Sequence, residues 1–130
     1  MKKLSRMILI FAVLSCFGLS VVFAVSFGTG EDVSYSKKIW NAMIKTHLVG
    51  SDSFHSTPYE GTHPHGAILD TIDAKITVMN HKGVVIVKKN FGGKNITKTL
   101  VADNPDKYLK AITVMYQREN GYDKDNKNWF

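Results

Sequence analysis

Hydrophobic and polar positions divide the chain into one helix-periodic stretch, a polar gap and a series of alternating runs. In "GTGEDVSYSKKIWNAMIKTHLVG" the residues Ile39, Trp40, Met43, Ile44 and Leu48 form a single apolar stripe, the spacing of a helix with one face on a core. Ser34 or Ser36 is suited to cap its start. Gly50 is suited to stop it, with Lys45 and His47 in the last turn, where positive charge complements the helix dipole. Trp40 is expected to be the core anchor of this helix.

"SDSFHSTPYEGTHPHG" has no apolar period and reads as a long loop, of the kind that often carries function. Strand patterns follow. "AILDTIDAKITVMN" is rich in β-branched residues, with Ile76–Met79 as its firmer half. "HKG" at 81–83 reads as a tight turn with Gly83 at a positive φ. "VVIVKKNF" is the strongest strand pattern, and "GGKN" turns it. "ITKTLVADNPDKYL" fits either a short strand or a loop leading to a helical turn that starts at Asn104-Pro105. "KAITVMYQ" is another strand, and "ENGYDKDNKN" is a polar connection before Trp129-Phe130, which look like the opening of a further strand. The expected fold is α+β and β-dominant, an N-terminal amphipathic helix followed by an antiparallel, hairpin-rich sheet that is incomplete at the C-terminus.

The first 24 residues stand apart. Lys2, Lys3 and Arg6 precede an apolar stretch from Met7 to Ala24, and small residues follow at cleavage spacing. This is the layout of a secretory signal peptide. The stretch also approaches the lower length limit of a membrane span, so an uncleaved anchor is the alternative. "VLSC" around Cys16 is a poor lipidation site, because Leu14 stands where a small residue is expected. The expected location is periplasmic or secreted, and residues 25–130 form one domain. The formal charge of +6 loses three units with the basic head, and no lysine or arginine run with interleaved aromatics occurs. Nucleic acid is therefore not an expected partner. Cys16 is the one cysteine, so residues 25–130 contain no disulfide, thiolate metal site or thiol nucleophile.

Two groups of residues are candidates for chemistry. His63 and His65 in "THPHG" could share a metal with a third ligand such as His55, Asp52 or Glu60, or could be a solvated loop. In "VVIVKKNFGG", strand alternation puts Val84, Ile86 and Lys88 on one face and Val85, Val87 and Lys89 on the other. Both faces are apolar up to the lysines, so the strand is expected to be buried on both sides, with one lysine in line with the interior unless both escape to water at the strand end.

"PHGAIL", "VVIVKKNFGG" and "KAITVMYQRENGYDKDNKNWF", in that order, resemble the cytochrome P-460 family of secreted bacterial haem proteins, and "KKIWNAMI" matches its N-terminal helix more loosely. The resemblance spans about residues 35–130. It implies a β-rich domain, commonly a homodimer, with haem c bound on one side of the sheet and reacting with small nitrogen oxides such as hydroxylamine or nitric oxide, and hence an electron-transfer partner. The family's haem-attaching Cys-x-x-Cys-His lies beyond the Trp-Phe strand. This chain has no cysteine after Cys16 and ends at Phe130, so the resemblance implies a fragment, truncated before the haem motif, that is inactive and holds no covalent haem by itself. It further implies that Lys88 is the lysine joined in some members to the porphyrin edge. Lys88 is accordingly expected on the concave side of the sheet, with Lys89 opposite and Phe91 in the cofactor pocket. The alternatives are a non-enzymatic secreted binding or scaffold module, and a metal-binding protein that uses His63 and His65.

Overall fold

A computed structural model describes residues 27–62 and 64–130. The proposed signal segment, Cys16 and His63 lie outside the described residues. Among the described residues, no helix is long and apolar enough to cross a membrane.

Helix α1 spans Gly30–Lys45. It starts earlier than either serine suggested, because Thr29 and Asp32 form a reciprocal capping box: the Thr29 hydroxyl accepts from the Asp32 amide at 3.2 Å, and the Asp32 carboxylate accepts from the Thr29 amide at 2.9 Å. It also ends before Gly50. The Leu48 amide donates to the Met43 carbonyl at 2.9 Å and the His47 amide to that of Ile44 at 3.1 Å, with His47 at φ 56°. That is a Schellman closure with histidine in the left-handed position usually given to glycine. The buried face carries Ile39 and Met43, with Tyr35 and Ala42 packed beside them. Trp40 is not a core anchor: it is 40 % exposed and Ile44 44 %, because both point away from the side that meets the sheet.

The sheet is antiparallel, in the order β1 (Tyr59–Glu60), β2 (Ile68–Val78), β3 (His81–Phe91) and β4 (Leu109–Tyr116). The fold is therefore α+β and β-dominant. Strands β2 and β3 pair without interruption from Ile68↔Phe91 to Val78↔His81. The chain reverses at Met79-Asn80, with Met79 at φ 56°, and not at 81–83. Gly83 lies inside β3 and serves a different purpose there. A Cβ at this position would run into the Gln117 carbonyl and lie 3.0 Å from the Tyr116 ring, so glycine is what allows Tyr116 to lie across the strand. Tyr116 is fully buried and its hydroxyl donates to the His81 carbonyl at 2.9 Å.

Between β3 and β4 the ambiguous segment is helical. Thr97 caps α2 (Lys98–Asp103), and Asn104 caps α3 (Pro105–Tyr108), with proline in the first helical turn. The main core joins α1, Leu48 and Val49 to Ile76, Val78, Val85, Val87 and Tyr116, and a smaller cluster joins Ile68, Phe91 and Val101. The aromatic pair at the C-terminus does pair as a strand would. Trp129 bridges Gln117, and Tyr116 and Phe130 exchange backbone hydrogen bonds at 3.0 and 2.9 Å. Replacing Gly83 with alanine should cost about 1–3 kcal/mol by forcing Tyr116 off the strand, read as a lowered midpoint in chemical denaturation.

Candidate functional site

Strand alternation in β3 separates the two lysines as the sequence indicates, and the helices choose between the faces. Val85, Val87, Lys89 and Phe91 are buried, while Val84, Ile86 and Lys88 are half-buried. The lysine of the packed interior is Lys89, not Lys88, and the strand is fully covered on one side only. The reason is that α1 and α2 both lie on the Lys89 side, where their buried residues meet Val85, Val87 and Phe91. Lys88 and Phe91, both expected in one pocket, stand on opposite faces.

Lys89 is 2 % exposed, and its cross-strand partner Asp70 is 1 % exposed. Burying such charges requires that their hydrogen bonds be met, and the long loop before β2 meets them. The Lys89 ammonium donates to the Phe54 carbonyl at 2.6 Å and to the Ser53 hydroxyl at 2.9 Å. Both oxygens of Asp70 accept from the Ser56 amide at 3.1 Å, and His55 Nδ1 lies 3.4 Å from the same carboxylate. The two charges thus pin residues 53–56 onto the sheet from beneath. Burial pushes the Lys89 amine below the ordinary lysine value, and Asp70 and Asp106 pull it only partly back. A cavity of about 310 Å³ opens here between the loop, β3, β4 and α3, with His55, Lys89 and Asp106 as polar groups and Phe91, Leu109 and Ile112 as apolar wall.

The other face of the sheet is a second candidate surface. Lys88 lies between Thr71 on β2 and Thr113 on β4, in line with Val84 and Ile86 of its own strand. Met115 is paired with Ile86 and is 43 % exposed. Val84, Ile86 and Met115 belong to neither core cluster. At one end Leu69 is buried against Gly61 and Gly66 of the "EGTHPHG" loop. At the other end Lys75 and Lys82 line a cavity of about 600 Å³ together with Val84 and Arg118.

The residues considered as a metal set are drawn to separate partners. Asp52 pairs with His47 at 2.8 Å, His55 faces Asp70, Glu60 lies 3.9 Å from Lys98, and His65 is exposed. Among the described residues no group of three or more His, Cys, Asp or Glu side chains could hold a metal ion. Sequence reading missed Asp70 and Ser53–Ser56. The available signal was Asp70 itself, an acid in an apolar, β-branched run, as Lys89 is a lysine in line with Val85 and Val87 of the next strand. No protein-family model, curated protein or solved structure matches the chain.

Lys89→Met should cost roughly 1–3 kcal/mol, since it leaves the Phe54 carbonyl and Ser53 hydroxyl without their donor, and should speed proteolysis within residues 50–58. Lys88→Met should stay within about 0.5 kcal/mol. Because the folded protein binds the Lys89 proton more weakly than the unfolded chain, the lysine's ionisation costs stability at neutral pH. That cost fades as pH rises through the folded pKa toward the ordinary 10.5. The stability gap between the wild type and Lys89→Met should therefore widen from about pH 7 to pH 10, measured by urea denaturation across that range.

Proposed function

We propose that the chain is a haem-binding module of the cytochrome P-460 type, with the open face of the sheet as the floor beneath the ring and Lys88 at the ring's edge. The observation that carries this reading is the strip Val84, Ile86 and Met115, which lies outside both core clusters with a half-buried lysine in line and is bordered on β2 by Thr71, Asp73 and Lys75. A flat apolar ligand is what such a strip accommodates. Lys75 and Lys82, further along the same face, suit acidic substituents of the ring.

What supports a haem is the apolar strip beneath the ring and the lysine at its edge; Asp73, paired with Ile86, does not suit an apolar ring. Cys16 is the one cysteine, so residues 27–130 would hold the group by contact and not through thioether bonds. On this face Met115 offers a thioether, Lys88, Lys75 and Lys82 offer amines and Asp73 a carboxylate, and of these Met115 is a familiar axial ligand to a haem iron. The bound group would supply the redox chemistry toward small nitrogen oxides. The protein's own part is to exclude water from one side of the ring and to present an amine at its edge. The missing thiols favour a second reading, a secreted module that binds a flat apolar ligand and performs no chemistry.

Titrating the full chain with haemin, followed in the Soret band, separates these readings. Saturable one-to-one binding is expected, weakened about tenfold, or about 1.4 kcal/mol, by Ile86→Asp. Lys88→Met should shift the band, whereas Lys89→Met should leave it in place. Absence of saturable binding, or indifference to both Ile86→Asp and Lys88→Met, would overturn the haem reading.

A further inference from the structure

We infer that the outward face of α1 docks on an anionic lipid bilayer. Phe27, Val33, Trp40 and Ile44 are 60, 51, 40 and 44 % exposed, and nothing in the core accounts for them. At the helical repeat, Val33, Trp40 and Ile44 fall within about 40° of one another, well round the helix from Ile39 and Met43. Trp40 and Ile44 are adjacent one turn apart, and Val33 lies two turns before Trp40 with exposed Ser36 and Lys37 between them. Phe27 extends this side of the helix at the N-terminal end, where it joins Val33, Trp129 and Phe130 around a mainly apolar groove of about 340 Å³.

The charges beside these apolar residues have the sign that anionic headgroups require. Lys37, Lys38 and Lys45 are exposed, and the Lys38 ammonium reaches over to the Met79 sulfur at 3.4 Å, at the exposed tip of the β2–β3 hairpin. Of the two acids on the helix, Asp32 is held in the capping box with Thr29, and exposed Glu31 shares the flank of Lys38 and Lys45, which keeps a net positive charge. Apolar and aromatic side chains flanked by lysines are the composition of a helix that rests in the headgroup layer. The preceding sequence argues for a bilayer over another occupant. The apolar run Met7–Ala24, with Lys2, Lys3 and Arg6 before it, ends three residues before Phe27. The first residue of α1, Gly30, stands six residues after Ala24, a span of roughly 20 Å at most, so while that run remains joined and in a membrane, α1 begins close to the membrane surface.

The test uses the full chain carrying Trp129→Phe, so that Trp40 is the one remaining tryptophan, reconstituted in phosphatidylcholine vesicles with and without phosphatidylglycerol. Lipids brominated near the headgroup should reduce Trp40 emission about twofold, more with the anionic lipid present. The double change Val33→Asp and Ile44→Asp, at exposed positions, should abolish that quenching while leaving the chain folded. Trp40 that ignores the bromolipid and stays open to aqueous iodide would overturn the proposal. So would Trp40 shielded from both quenchers in chains that cross-link to one another through Lys37, since this side of α1 would then be covered by a second copy.

Discussion

The β2–β3 hairpin fixes the molecule through its register. The eleven pairs from Ile68↔Phe91 to Val78↔His81 run without a bulge, and in an antiparallel ladder a slip of one residue would turn every side chain to the opposite face. Here such a slip in β3 would drive Lys88 and Ile86 under the helices and expel Val85, Val87 and Phe91. The register also places Gly83 opposite Ile76, the position at which a missing Cβ lets Tyr116 close the end of the core. Turn and packing therefore agree on one alignment.

That alignment brings a lysine and an aspartate into the interior, side by side on neighbouring strands. An uncompensated buried charge destabilises a fold by several kcal/mol, so the surrounding chain must answer for them. The loop at 53–56 does so with a carbonyl, a hydroxyl and an amide, and is ordered over the sheet as a result. A long polar connection that could have wandered is thus tied down by two charges, and the cavity beside Lys89 is a consequence of how it is tied. The same residues that look like a reactive cluster are first a structural clasp.

The far end of the molecule is joined by aromatic rings. The Arg118 guanidinium stacks 3.9 Å from the Tyr35 centroid and 4.2 Å from that of Tyr122, while Glu119 takes its outer nitrogen at 2.7 Å. Phe130 meets Tyr35 edge-on at 5.5 Å. Helix α1, the turn after β4 and the final aromatic pair are held as one unit. This leaves the open sheet face and the outward side of α1 as separate surfaces, the first proposed here for a flat ligand and the second for a bilayer.

Periodicity alone located α1, the bodies of β2, β3 and β4, the α+β class and the opposite directions of Lys88 and Lys89, because these depend on local spacing in the chain; it missed β1 (Tyr59–Glu60), which lies in the segment read as a loop, and took the start of β3 for a turn. It could not locate the helix ends, since the caps are formed by Thr29 with Asp32 and by a left-handed His47, in competition with serines and a glycine that look equally apt. Nor could it say which side of β3 is inside. Both sides are apolar, and the choice depends on where α1 and α2 come to rest. For the same reason Trp40 read as core: a stripe two residues wide tolerates rotation about the helix axis, and packing of Ile39 and Met43 against the sheet turned the indole outward. Asp70 and Lys89 were visible as polar residues in apolar runs, but their partners lie 14 to 36 residues away in a loop without periodicity. Only the folded chain puts those groups within hydrogen-bonding distance, so the clasp has no local pattern to read.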